Sequence, residues 1–201
     1  MAKRVPKSFF QRDTCAVAQM LLGKELVREQ IRLRITEVEA YLPDDSACHA
    51  RSGPTKRNAA MFGPPGRAYV YLCYGLHHLL NIATEPEGVG AAVLIRSCEP
   101  LTGHETIYAR REGKAGAPKG PALLTGPGKV GQALGVDVSW SGHPLYQAGG
   151  LEIREGPPPE QRCIGPRVGI GYADPEDRDA PLRFAIANTP WVSQRKTLTL
   201  V

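Results

Sequence analysis

Apolar and polar positions recur along this chain with two different periods, and the switches between them mark its elements. In DTCAVAQMLLG, residues 13–23, Val17, Ala18, Leu21 and Leu22 fall on one helical face, with Asp13 or Thr14 as the cap and Gly23 as the stop. From Glu25 to Tyr41 the period drops to two. Ile31, Leu33 and Ile35 alternate with Arg32, Arg34 and Thr36, which predicts a half-buried strand preceded by a hairpin at Glu29 and Gln30. Residues 63–84, GPPGRAYVYLCYGLHHLLNIAT, open with a Pro/Gly turn and hold two strand-like runs joined near Tyr74, Gly75 and Leu76, a β-hairpin with an aromatic tip. AAVLIRSCEPL, residues 91–101, reads as a strand buried on both faces and interrupted by Arg96.

The second half is less regular. Residues 103–121 are charged, rich in Gly and Pro and without periodicity, so a surface loop is predicted there. LLTGPGKVGQALGV, residues 123–136, reads as a helix punctuated by glycine. Residues 155–173 return through turns to short strands, and PLRFAIANTPWVS, residues 181–193, shows strand alternation with an aromatic anchor at Trp191. Many short strands with few helices and no regular strand–helix alternation predict an α+β fold: a single compact domain over 1–201, with a curved antiparallel β-sheet, flanking helices and a protruding β-hairpin.

Composition narrows the setting. A chain of 201 residues with 42% hydrophobic content can bury one sizeable core. Twenty-five Lys and Arg against 20 Asp and Glu leave a net charge of +5, which attracts a polyanion if it clusters on one face. The five cysteines are odd in number, widely spaced and without a CxxC, so reduced thiols in the cytoplasm are expected. The basic start leads into no apolar signal core, and no run of about 18 apolar residues occurs, so neither secretion nor membrane spanning is expected. The five histidines lack HExxH spacing, and no metal is expected.

Candidate chemistry lies in three places. If the strand of residues 31–41 keeps its parity, Glu37, Glu39 and Tyr41 share the face of Ile31, Leu33 and Ile35, the two carboxylates roughly 6.6 Å apart on one wall. Alternatively the strand leaves the core by residue 37 and both carboxylates are solvated. Paired carboxylates on one wall do not flank a bond, which argues against ordinary two-carboxylate sugar hydrolysis. Tyr41 and His49 follow within one loop, beside a carboxylate, as in a pocket that stacks a planar ligand. Tyr69, Tyr71 and Tyr74 put three of the seven tyrosines within six residues. Tyr74 at the turn has little core to fill and suits a wedge in a base stack. Asn81 and Arg96 interrupt apolar strands; buried, they need partners, and Arg96 can pair with Glu37 or Glu39. GPGKVG, residues 126–131, is not a Walker loop: Leu123 stands where Gly is needed and Val130 where Ser or Thr is needed, although Lys129 at a helix start suits a backbone phosphate.

EVEAYL, CHARSG, RNAAMFGPPGRAYVYLCYGLHHLLNI, VLIRSCEPL, LLTGPGKVGQALGV, RVGIGYA and PLRFAIANTPWVS resemble, in order, the blocks of the alkyladenine (3-methyladenine) DNA glycosylase family, over residues 8–193. The resemblance implies an enzyme that flips damaged purines out of double-stranded DNA and hydrolyses the N-glycosidic bond with water, without metal or cofactor; a monomer is the default for an enzyme that must track along DNA, at the nucleoid if the cell is bacterial. It implies Glu39 as general base and Arg96 as the residue that helps position the water. Tyr41 and Tyr71 would stack on the flipped base with His49 opposite, Asn81 would reject guanine at the pocket floor, and Tyr74 would intercalate in the duplex. Two rivals differ in class. A non-catalytic nucleic-acid-binding domain has no use for a carboxylate aimed at a polyanion, and a nucleoside glycosidase has none for Tyr74.

Overall fold

The computed structural model describes residues 2–113, 116 and 118–201. Helix α1 (Thr14–Leu21) begins where the Asp13 carboxylate accepts the Ala16 amide, and its apolar face meets the sheet. Strands β1 (Glu25–Arg28) and β2 (Ile31–Tyr41) form the expected hairpin, and β3 (Ala68–Cys73) pairs with β4 (His77–Ala83) in a second one. Strand β5 (Ala92–Thr102) lies between β4 and β2. Helices α2 (His104–Arg111) and α3 (Pro127–Leu134) follow, then β6 (Leu151–Arg154), β7 (Arg162–Gly165), α4 (Pro175–Asp179), β8 (Arg183–Ile186) and β9 (Thr199–Leu200). The nine strands described pair antiparallel in the order β3-β4-β5-β2-β8-β7-β9, with β1 and β6 branching from β2. This is the expected single α+β domain. Among the described residues no helix is long and apolar enough to cross a membrane.

Two segments depart from the sequence pattern. The stretch expected as a surface loop at 103–121 opens with α2, whose single fully buried residue, Ile107, joins the main core. One apolar anchor in eight residues makes no period, so the pattern could not reveal it. Residues 114, 115 and 117 of that stretch lie outside the described residues. Helix α4, Pro175–Asp179, carries no buried side chain at all and left no apolar signal.

The glycines of GPGKVG have a packing role. A Cβ at Gly131 would stand 2.0 Å from the His78 carbonyl oxygen, and one at Gly128 2.8 Å from the His77 ring. They let α3 lie against the end of β4, beside the hairpin tip.

The centre of the sheet carries the irregularity that makes the site. Along β2 and β5 the register runs Ile35↔Cys98, Glu37↔Ser97, Val38↔Ile95. Each strand thus contributes one extra residue, Thr36 on β2 and Arg96 on β5, in a pair of offset bulges. Side-chain parity reverses there. Ile31, Leu33 and Ile35 point into the main core before the shift; after it, Val38 and Ala40 do. Glu37, Glu39 and Tyr41 therefore do not share the apolar face, as unbroken alternation predicts, but lie on the other side. That side is not solvent: residues 166–173 and 191–193 cover it, and both carboxylates are fully buried.

Candidate active site

Tyr41, at the end of β2, faces a cavity that it shares with His49, Tyr71, Asn81, Tyr69 and Tyr172. Aromatic rings make up most of its lining, the kind of wall against which a planar group stacks. Its walls are rigid. Tyr69 and Tyr71, two residues apart on β3, stack with centroids 5.6 Å apart and planes at 29°. His49 meets Tyr71 edge to face at 4.5 Å, and its Nδ1 lies 2.9 Å from the Tyr69 hydroxyl. A flat ring needs close to 7 Å between two stacking faces, so nothing can stand between His49 and Tyr71. The expectation that they oppose each other is corrected: they form one corner of the cavity that Tyr41 also lines. Asn58 Nδ2 holds the His49 carbonyl at 2.7 Å and the Gly53 carbonyl at 3.1 Å, which shapes the loop that carries His49.

Asn81 sits opposite Tyr69 in the β3–β4 register and is buried. Its Nδ2 donates to the carbonyls of Tyr69 (3.1 Å) and Leu79 (3.3 Å), so the amide cannot rotate freely. Both Asn81 and Arg96 are buried, so each needs the partners it finds here.

Glu39 stands behind Tyr41. Its carboxylate accepts the Tyr41 hydroxyl at 2.9 Å and the Val168 amide at 2.8 Å, and Arg96 Nη1 lies 3.2 Å from Oε1. Burial raises the Glu39 carboxyl above the usual range for glutamate, with Arg96, the Val168 amide and Tyr41 opposing it. Burial, and after it the Glu39 charge, likewise pushes the Tyr41 phenol well up. It remains a neutral donor. Burial, helped by Arg57, lowers the His49 imidazole, which is therefore uncharged at neutral pH, and burial carries Tyr69 up to about 12. A buried carboxylate with one cation, two neutral donors and an adjoining cleft can accept a proton from water.

Tyr74 lies at the hairpin tip, 87% exposed, with Leu76 75% exposed beside it. Tyr74 and Gly75 have φ of +50° and +69°, and the Leu76 amide bonds the Cys73 carbonyl at 3.0 Å, the pattern of a type I′ turn. A tyrosine in that left-handed conformation is strained, and a large exposed ring held under strain points to contact with a partner. Arg57 lines the cleft beneath the tip, and Arg111 and Lys129 flank it with His77.

Pattern reasoning missed several residues here. Arg167 fills the space behind Tyr41, its guanidinium 4.7 Å from the ring centroid and paired with Asp45. Tyr172, 70% exposed, closes one side of the mouth. Both belong to RVGIGYA, a turn-bound segment without strand or helix period. Only their residue types hinted at a role.

Against known proteins, the family model for methylpurine-DNA glycosylase matches residues 8–190. A protein of Arabidopsis thaliana named DNA-3-methyladenine glycosylase is 58% identical over 195 residues, covering 96% of this chain and 76% of its own. A Nitrosococcus oceani protein with a provisional 3-methyladenine DNA glycosylase name is 58% identical over 199 residues, covering 98% and 97%. A Methanocella arvoryzae protein with the same provisional name is 43% identical over 196 residues, covering 95% and 96%.

Proposed function

The chain belongs to the methylpurine-DNA glycosylase family, and on that premise we propose that it is a base-excision-repair enzyme releasing alkylated or deaminated purines from duplex DNA. The substrates proposed are 3-methyladenine, 7-methylguanine, hypoxanthine and 1,N6-ethenoadenine. The observation that carries the reading is the fully buried Glu39, hydrogen-bonded to the Tyr41 hydroxyl, with Tyr41 itself lining a cavity shared with His49, Tyr71 and Asn81.

The basic side chains near the cleft meet backbone phosphates, and Tyr74 enters the stack where the damaged nucleotide leaves it, lowering the cost of flipping. The base slides between Tyr41 and the Tyr71–His49 corner. Asn81, held at the floor, disfavours guanine by crowding its exocyclic amine. Glu39 takes a proton from a water that Arg96 helps to hold. The water oxygen bonds to C1′, and the electron pair of the N-glycosidic bond goes to the base nitrogen. The ionised carboxylate also offsets the positive charge that builds on the sugar. A purine alkylated at N3 or N7 is cationic and leaves as a neutral molecule, so one base is enough for it, and the aromatic walls favour its charge. The enzyme acts as a monomer without metal or cofactor.

Single-turnover base release tests this, from duplexes carrying hypoxanthine or 1,N6-ethenoadenine and from methylated DNA, in EDTA, for wild type and Glu39→Gln. Release by wild type, with a loss of at least about 10²-fold in a variant that still binds the duplex, supports the assignment. Tight binding without release in the wild type would favour the non-catalytic domain, for which burying Glu39 has no physical purpose. Release from free nucleosides, indifferent to Tyr74, would favour the nucleoside glycosidase.

A further inference from the structure

Glu37 is a fully buried carboxylate to which the proposed mechanism assigns no step. It accepts from five donors: Arg96 Nε at 3.3 Å, Arg183 Nη1 at 3.1 Å, Ser97 Oγ at 2.5 Å, and the amide and hydroxyl of Ser193 at 2.8 and 2.9 Å. Arg96 is shared, since the guanidinium whose Nε faces Glu37 presents Nη1 to Glu39. Two carboxylates and two guanidiniums thus occupy one water-poor cluster with no net charge.

We infer that Glu37 is a positioning residue: it divides the charge of Arg96 and Arg183, so that Arg96 is held against Glu39 without neutralising it. The inference rests on Glu39 being the base. A guanidinium given wholly to Glu39 would make a tight pair and a weak proton acceptor. Glu37 prevents this by claiming the Nε side of Arg96 and one arm of Arg183, and it adds a like charge on the same face of β2. The other charged or titratable groups around Glu39 are Tyr41 on β2, Arg183 opposite it on β8, Tyr71 on β3, and the Arg167–Asp45 pair between the two loops. Besides Glu39 itself, Glu37 is the carboxylate among the described residues that pairs with Arg96.

The test is the acid limb of base release against pH, in single turnover on methylated duplex DNA. The 7-methylguanine leaving group needs no proton there, so the limb reports the base alone. Glu37→Gln should move the limb to lower pH by roughly half a unit or more and lower the plateau. Glu37→Asp keeps the charge and should leave the limb in place even where the plateau falls. Should Glu37→Gln fail to fold, the double change Ser97→Ala with Ser193→Ala removes neutral donors from Glu37 and strengthens its hold on Arg96. The limb should then move to higher pH. A limb unmoved by either change, with only plateau or melting temperature lowered, overturns the proposal and leaves Glu37 a structural ion. Turnover retained by Glu39→Gln would instead remove the base assignment on which the proposal stands.

Discussion

The Arg167 guanidinium sits over the Tyr41 ring, 4.7 Å from its centroid, and is held there by Asp45, by the Ala40 carbonyl at 3.0 Å and by the Asp177 carbonyl at 3.0 Å. One face of Tyr41 is therefore backed by a fixed cation, and the cavity is left to the other. Since both partners are buried, Asp45→Ala leaves an unpaired charge inside the protein and should cost about 3–5 kcal/mol, read as a lower denaturant midpoint. Replacing both residues, Asp45→Leu with Arg167→Met, should recover most of that stability but not the affinity for a lesion duplex, because Tyr41 loses its support. Wild-type affinity in the double variant would show that the ring needs no backing.

The Glu39 carboxyl, raised chiefly by burial, should set the acid limb of base release above the ordinary glutamate range of about 4.3. Only the ionised form accepts a proton, so the rate rises with pH through that value. Arg96→Met removes the main opposing charge and should shift the limb higher still. Activity at neutral pH would fall and be partly regained in more alkaline buffer. A limb that stays put or falls in Arg96→Met would contradict the ion pair as the main influence of Arg96.

Tyr74 should show stability and function in opposition. Its left-handed φ suits glycine, so Tyr74→Gly should raise folding stability by a few tenths to about 1 kcal/mol. The same change removes a ring whose stacking is worth roughly 1–3 kcal/mol, so affinity for a duplex with one flipped purine should drop about 5- to 150-fold. Thermal melting and a fluorescence titration on the same preparations decide it. A variant that melts higher and binds equally well would leave the wedge without support.

Gly131 is a more severe test of the α3–β4 contact. Alanine would gain helix propensity, close to 1 kcal/mol, yet its Cβ would meet the His78 carbonyl at 2.0 Å. The backbone must separate to admit it. We expect Gly131→Ala to destabilise by about 1–3 kcal/mol and to lower lesion binding, since β4 leads to the hairpin tip. Stabilisation would mean that α3 is free to move off the strand.

Most of the architecture was legible because it follows local rules. The alternation of Ile31, Leu33 and Ile35, the two hairpins with their turns at Glu29 and Tyr74, the face of α1 and the antiparallel α+β class all arise from side-chain period and turn chemistry. Helix α2 escaped because a single buried isoleucine makes no period, and α4 because it buries nothing.

The site divides in the same way. The residue types that line it, Glu39, Tyr41, His49, Tyr71, Asn81 and Arg96, stood out in the chain as polar or aromatic groups in unusual places, and the motif blocks tied them to one family. Their arrangement did not. That Glu37 and Glu39 leave the apolar face depends on one extra residue in each of two strands 60 positions apart, and a bulge leaves no mark on hydrophobic alternation until the partner strand sets the register. That His49 and Tyr71 form one corner, and that Arg167 backs Tyr41, depends on segments far apart in the chain meeting around the same carboxylate. The sequence by itself determined which chemistry was present; the tertiary structure decided which groups share Arg96 and which face of each ring is open, because burial and charge pairing exist only once distant strands are in register.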